Sequence, residues 1–185
     1  MELKRRWQSF FHRIAEWKTH ERSELTSGAV MQREIDLLIS SAHKELIIVD
    51  FITEPLFADI QFYETILDIM RDNPDIEVSL ILYVPSSHVS LVDSVTQHVS
   101  GIFEANGAVF GESHFSLFLL KEEPYVLFYM NEQDILIKDI LNIRDTPISL
   151  KFTGKNVFEK DCRAYAQFLI ESPSETRLLK TYGQS

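Results

Sequence analysis

His114 is the residue whose position most suggests catalysis in this sequence of 185 residues. It opens an apolar run at residues 114–120, and a Lys-Glu-Glu-Pro break separates that run from a second one at residues 125–130. Two such runs around a short polar break predict a β-hairpin. His114 is then either the remnant of a catalytic hairpin or the first residue of an ordinary strand.

A second candidate site lies where a predicted strand meets a predicted helix, at residues 151–156. The segment contains a glycine, two lysines and a helix N-terminus, which are the ingredients of a small anion site. Lys151, Lys155 and Asn156 would be its binding residues, although the full phosphate-loop pattern is absent. The alternative is a plain turn in which Asn156 caps the following helix.

Metal and thiol chemistry find little support in the sequence. Cys162 is the only cysteine, which excludes an intrachain disulfide and a multi-cysteine metal site and fits a reducing cytoplasm. The acidic residues 72–77 lack the glycine and the alternating ligands of a calcium loop. We therefore predict a protein without metal and without cofactor.

The charge of the chain is unevenly distributed. Acidic residues outnumber basic ones by 28 to 18, and the net charge of −10 argues against a broad, nonspecific grip on nucleic acid. Residues 1–22 nevertheless hold six Lys or Arg against three Glu, so this segment is basic. No apolar run approaches the roughly 18 residues that span a bilayer, and we expect a soluble, cytoplasmic protein.

The basic segment also carries an apolar stripe, whose residues recur at steps of four and three as on one side of a helix. They are Leu3, Trp7, Phe10, Ile14 and Trp17. A stripe this narrow resembles a helix–helix seam, so we expect it to be buried against the protein itself or a protein partner. Binding of residues 1–18 to an anionic membrane surface is the alternative.

The rest of the chain reads as one α/β domain. Continuous apolar runs at residues 46–52 and 76–84 predict strands covered on both faces, with helices at 30–43, 54–73, 90–107 and 156–172. Further strands are expected at 108–111 and 148–154, whereas 134–147 is ambiguous. The predicted units are residues 1–29 (basic helix, with 19–28 as a joint), 30–172 (α/β domain) and 173–185 (C-terminal tail).

This order of helices and apolar strands resembles a single phospholipase D-like unit. The resemblance implies a mixed β-sheet flanked by helices, and a hairpin that carries a His-x-Lys-x4-Asp motif on its first strand and adjoining turn. Here His114 is followed by Ser116 at the lysine position and by Lys121 at the aspartate position. Because serine cannot supply the charge with which lysine helps to bind phosphate, the resemblance implies a copy without catalytic residues.

These observations lead to three hypotheses of function. The first is a non-catalytic interaction or regulatory module that acts as a homodimer, since single-unit members of the fold commonly pair symmetrically. The second is a phosphodiesterase or nuclease that combines His114 with a lysine from elsewhere, such as Lys151 or Lys155. The third is a peripheral membrane or scaffold protein recruited through residues 1–18.

Overall fold

A computed structural model describes residues 7, 9–10, 14, 22–25, 27–106, 113–141, 147–154, 158–172 and 176–183. The strands are β1 (Arg22–Leu25), β2 (Glu45–Phe51), β3 (Glu77–Tyr83), β4 (His114–Leu120), β5 (Leu127–Asn131), β6 (Asp134–Leu141), β7 (Pro147–Thr153) and β8 (Thr176–Gly183). The helices are α1 (Gly28–Ser40), α2 (Ile60–Asp72), α3 (Ser90–Phe103) and α4 (Glu159–Glu171), with short 3-10 helices at Pro55–Ala58 and Ser86–His88.

The described strands form one mixed sheet in the order β1-β7-β6-β5-β2-β3-β4-β8. Strands β2, β3 and β4 are parallel, and every other neighbouring pair is antiparallel. The parallel strands need crossover helices, which α2 and α3 supply. The predicted α/β class, a mixed sheet flanked by helices, is confirmed.

Helices cover both faces of the sheet. On one face α1, α2 and α3 enclose a core that includes Ile48 and Leu80, and on the other α4 packs over Ile47 and Ile81. Successive residues of β2 and β3 therefore point into two different cores. This explains why both strands read as continuous apolar runs instead of alternating ones.

The predicted hairpin between residues 114–120 and 125–130 is wrong. These segments are β4 and β5, and in the sheet they are separated by both β2 and β3. Strand β5 instead forms a hairpin with β6, and in its turn the Asn131 side-chain oxygen accepts hydrogen bonds from the backbone N–H groups of Gln133 and Asp134, each at 2.8 Å. The error arose because apolar runs identify strands but do not identify their neighbours.

Three further segments are strands that the sequence pattern did not predict clearly. The ambiguous residues 134–141 are a strand, and the expected joint contains β1, which pairs with β7. The expected tail contains β8, which pairs with β4 along the edge of the sheet. Single edge strands of this kind have weak patterns, because only one side of the strand is paired and burial is incomplete. The strand expected at 108–111 lies outside the described residues.

Helix starts follow ordinary capping chemistry where it is present. The Ser27 hydroxyl accepts the backbone N–H of Val30 at the start of α1, and the Asp59 carboxylate accepts that of Gln61 at the start of α2. Helix α4 begins after Phe158, which has no side-chain cap, and Asn156 lies outside the described residues.

Candidate functional site

Asp50 is a fully buried carboxylate near the end of β2, with 0% of its surface exposed. Its two oxygens are held by three neighbours. The Tyr129 hydroxyl donates to Oδ2 at 2.5 Å, the Phe51 backbone N–H donates to Oδ1 at 2.7 Å, and the Lys138 ammonium lies 3.0 Å from Oδ2. A buried charge needs partners of this kind, and Asp50 has them.

Lys138 is shared between two carboxylates. Its Nζ also lies 2.9 Å from Oε1 of Glu54, and its side chain is only 12% exposed. Two carboxylates thus share one ammonium, and the formal net charge of the group is −1. We call these four residues, Asp50, Glu54, Tyr129 and Lys138, the Asp50 network.

Neighbouring strands bring the Asp50 network together. Asp50 lies on β2, Tyr129 on the adjacent β5, and Lys138 on β6, which is the next strand. Glu54 follows β2 in the connection to α2. The network thus lies at the carboxyl ends of the parallel strands, where open α/β sheets usually bind their ligands.

Burial and charge shift the pKa values of the network. Burial raises the pKa of Asp50 above its usual range, although Lys138 and the Tyr129 hydroxyl act in the opposite direction. Burial would lower the pKa of Lys138, but the Asp50 and Glu54 carboxylates raise it. Burial and the nearby Asp50 charge raise the pKa of Tyr129, so it remains a hydrogen-bond donor.

A β-bulge follows the network on β6. The register between β6 and β7 shifts between Ile137 and Ile140, and Asp139 in this bulge has a φ of 52°. The left-handed region costs an L-residue roughly 1–2 kcal/mol, and Asp is one of the few types that visit it. The Asp139 N–H donates to the Ser149 hydroxyl at 3.2 Å, which fixes the bulge to β7.

An open cavity of about 500 Å³ adjoins the bulge and Lys138. It is lined by residues of β1, β6, β7 and the start of α1, including both Lys138 and Asp139. In a regular strand, consecutive side chains point to opposite faces. The bulge therefore explains how two consecutive residues line the same cavity.

The structure does not bring the residues of the enzyme hypothesis together. His114 is the first residue of β4, opposite Glu77 of β3, and so lies at the amino end of the parallel strands, roughly 20 Å from the end that carries Asp50. Its Nδ1 is buried without a hydrogen-bond partner among the described residues. Lys151 lies on β7, five strand positions from β4, or roughly 24 Å away. His114 and Lys151 therefore do not share a site within one chain, and Lys155 lies outside the described residues.

Lys151, the described member of the predicted anion site, already has two anionic partners. Its Nζ lies 2.7 Å from Oε2 of Glu34 and 3.3 Å from Oδ2 of Asp134. Burial would lower the pKa of Lys151, but these two carboxylates raise it. Any bound anion would have to compete with both. Asn156 and Lys155 lie outside the described residues, so the site remains a prediction.

Three residues of the N-terminal stripe lie against the domain itself. The Trp7 ring packs on Tyr165 of α4, with centroids 5.3 Å apart, and Phe10 packs on Phe158 at 6.1 Å. Ile14 is 1% exposed within the same core. These contacts occupy the apolar side that membrane binding would require. Leu3 and Trp17 lie outside the described residues.

The described part of the chain shows no metal site, no activated thiol and no membrane-spanning helix. There, no group of three His, Cys, Asp or Glu side chains is arranged to hold a metal ion. Burial raises the pKa of the Cys162 thiol, which disfavours the reactive thiolate. Among the described helices, none has the length and apolar character to cross a membrane.

Sequence reasoning missed the Asp50 network. A signal was present, because Asp50 is the one charged residue in the apolar run 46–52, and Lys138 and Asp139 are the two charged residues in the run 135–141. A charge inside a buried strand requires a partner, which predicts that two such residues meet. The sequence pattern, however, does not show that the strands of Asp50 and Lys138 lie near each other.

Comparisons with known proteins bear on the fold. No protein-family model matches the chain, and no curated protein matches it. Among solved structures, it is similar to TrmBL2, an archaeal chromatin protein that binds DNA, with a TM-score of 0.58 and 7% identity. It is also similar to phosphatidylserine synthase of Haemophilus influenzae Rd KW20, with a TM-score of 0.61 and 11% identity.

These likenesses cover nearly all of this chain but only part of the other proteins. They span 96% of this chain and 64% of the chromatin protein, and 92% of this chain and 42% of the synthase. The chain thus spans less than two thirds of either neighbour. At such identities the similarity concerns the fold alone, and the synthase, a member of the phospholipase D superfamily, supports a phospholipase D-like fold here.

Proposed function

We propose that this chain is a non-catalytic phospholipase D-like module with an interaction or regulatory role, and that it acts as a homodimer. The composition of the β5–β6 hairpin carries this proposal. The family resemblance places histidine and lysine on the first strand of a hairpin. Residues 124–132 contain neither, and β5 is buried along its whole length. The first strand of this hairpin therefore has no histidine to present as a nucleophile to a phosphodiester.

The position of His114 supports the same conclusion. A histidine nucleophile needs a cation within reach to bind the phosphate, and Lys151 is roughly 24 Å away across the sheet. The parallel strands carry the Asp50 network at their other end. That network bonds internally and has a net negative charge, which would repel a phosphodiester.

The homodimer is proposed from the resemblance and from the edge of the sheet. Single-unit members of this fold commonly pair symmetrically. In the described part of the chain β8 has β4 as its one strand neighbour, and Leu178 of β8 is 53% exposed. An unpaired strand edge is available for association with another chain.

Nucleic acid is disfavoured as a partner even though one structural neighbour binds DNA. Binding to DNA is dominated by contacts of Lys and Arg with phosphate, and the present chain has a net charge of −10. A protein partner, including a second copy of the chain, is the better expectation.

Two measurements test the proposal. Wild type and His114→Ala should both fail to hydrolyse bis(p-nitrophenyl) phosphate, with His98→Ala as a matched histidine control. Turnover by wild type that disappears only in His114→Ala would establish the enzyme hypothesis instead. Light scattering over a dilution series should give twice the chain mass of 21.5 kDa, and a monomer at micromolar concentration would remove the dimer.

A further inference from the structure

Two successive backbone N–H groups in the turn between α1 and β2 point to one carboxylate. The first two N–H groups after α1 still donate to carbonyls of the helix. The next two belong to His43 and Lys44, and both donate to Glu132. The His43 nitrogen lies 3.1 Å from Oε1, and the Lys44 nitrogen lies 3.3 Å from Oε2. Successive backbone N–H groups can form a concavity that binds an anion. We call these two groups the α1–β2 nest.

The neighbouring Asn131 fixes the position from which Glu132 reaches the nest. Asn131 is buried, and its side-chain nitrogen donates to the Leu38 carbonyl at 2.9 Å and to the Ser41 hydroxyl at 3.1 Å. Its side-chain oxygen accepts the two backbone N–H groups that follow Glu132. The β5–β6 turn is thus bound to the end of α1 by two adjacent side chains, one neutral and buried, the other charged and nearer the surface.

The nest lies at the surface and favours a charged carboxylate. His43 and Lys44 are exposed, and Glu132 is half-buried, so solvent and solutes reach this turn. Burial would raise the pKa of Glu132, but the backbone N–H groups that it accepts lower it. A lowered pKa means that these groups bind the ionised carboxylate better than the neutral acid. Hydrogen bonds to an ionised acceptor are also stronger than those between neutral groups.

We infer that the α1–β2 nest is a binding site for one carboxylate, which Glu132 fills from within the chain. The contact latches the turn between the two strands that supply Tyr129 and Lys138 to the Asp50 network. It also keeps the site closed, because a carboxylate from outside the chain can bind only when Glu132 leaves. The latch does not depend on the proposed function, since a catalytic chain would contain the same contact.

Glu132→Ala should open the site to a free carboxylate. Amide spectra of the ¹⁵N-labelled full chain are recorded with acetate and with acetamide, its neutral isostere, at constant ionic strength. In Glu132→Ala, acetate should shift the His43 and Lys44 signals in a saturable manner, and acetamide should not. Wild type and Glu132→Gln should show no such shift, because their side chain still fills the nest. Acetate shifts that are absent in folded Glu132→Ala, or equal in wild type, overturn the inference.

A matched variant and a second readout separate the latch from a general effect of charge. Glu123→Ala removes an exposed carboxylate from the connection between β4 and β5, and its response to acetate should equal that of wild type. Hydrogen exchange at His43 and Lys44 should be about tenfold faster in Glu132→Ala than in wild type, since a charge-assisted bond is lost. Acetate should reverse part of this increase, and an exchange rate that Glu132→Ala leaves unchanged overturns the inference.

Wild type provides the test if Glu132→Ala does not fold. Its His43 and Lys44 amide signals should follow the titration of Glu132 in acid, with a midpoint below the ordinary pKa of a glutamate. Signals that do not follow this titration overturn the inference. Phosphodiester turnover, in contrast, would refute the proposed function alone.

Discussion

Replacing Lys138 by Met leaves a buried carboxylate without its cation. Asp50 is fully buried, and its remaining partners, the Tyr129 hydroxyl and one backbone N–H, provide hydrogen bonds but no charge. Breaking a buried ion pair from one side typically costs about 3–5 kcal/mol. Because Lys138 is only 12% exposed, solvent screening reduces this figure little, and we expect a loss of about 3 kcal/mol at pH 7.

The same variant should depend on pH in a defined direction. Burial already raises the pKa of Asp50, and removal of the ammonium raises it further. A carboxyl whose pKa is higher in the folded than in the unfolded chain stabilises the fold below its unfolded pKa, and this contribution is lost as the pH rises through the folded pKa. The difference in unfolding free energy between wild type and Lys138→Met should therefore shrink as the pH is lowered from 7 towards 4.

Urea denaturation at pH 7, 5.5 and 4.5 measures this difference, with Lys160→Met on the exposed side of α4 as the matched control. The control should change stability by no more than about 0.5 kcal/mol. The double variant Asp50→Asn, Lys138→Met should recover part of the loss at pH 7, since no uncompensated charge remains. A loss below about 1 kcal/mol, or one that is the same at all three pH values, would refute this account of the buried ion pair.

Three further outcomes are expected. Burial would raise the pKa of Glu132, but the backbone N–H groups that it accepts lower it, so its stabilising effect is present above the unfolded pKa and is lost as the pH falls through the folded pKa. Glu132→Gln should therefore lower the unfolding free energy at pH 7 and have little effect at pH 3. Trp7→Ala should lower the melting temperature because the ring leaves Tyr165, and the half-buried position predicts a cost of about 1–2 kcal/mol, below that of a fully buried tryptophan. Asp139→Gly should be more stable than Asp139→Ala by about 1 kcal/mol, since glycine adopts a positive φ without a Cβ penalty.

Each of these outcomes has a direct check. Denaturation of Glu132→Gln and wild type at both pH values should give curves that approach each other in acid; a constant offset contradicts the pKa argument. A melting temperature that is unchanged in Trp7→Ala would mean that the contact with α4 contributes nothing. Equal stability of the Gly and Ala variants at position 139 would contradict the strain in the bulge.

The sequence predicted the strands and helices better than it predicted their neighbours. Residues 46–52 and 76–84 were identified as buried strands because both of their faces are apolar, and the structure places them at the centre of the sheet. The hairpin assignment failed because residues 114–120 and 125–130 have equally apolar patterns, and nothing in a pattern states that two other strands lie between them. Pairing depends on long-range contacts, which a local window does not contain.

The candidate site was missed for the same reason. Asp50 and Lys138 are 88 residues apart, and each is a charged residue in a mostly apolar strand. Their meeting follows only from the order β6-β5-β2 in the sheet. His114, by contrast, lies at the first position of β4, opposite Glu77, and so at the other end of the parallel strands from Asp50.

The pairing of β1 with β7 has a consequence for how the chain acquires its structure. Arg22 lies opposite Phe152, so the first described strand meets its only described strand neighbour after an intervening stretch of more than a hundred residues. Strands β2, β3 and β4 can pair soon after their crossover helices are made. Strand β1 can pair only after β7 has been synthesised and has paired with β6. Pairings of such long sequence separation slow folding, because the entropy cost of closing the loop comes before the stabilising contacts form. During synthesis β1 therefore remains without this strand partner until β7 has been made and has paired with β6.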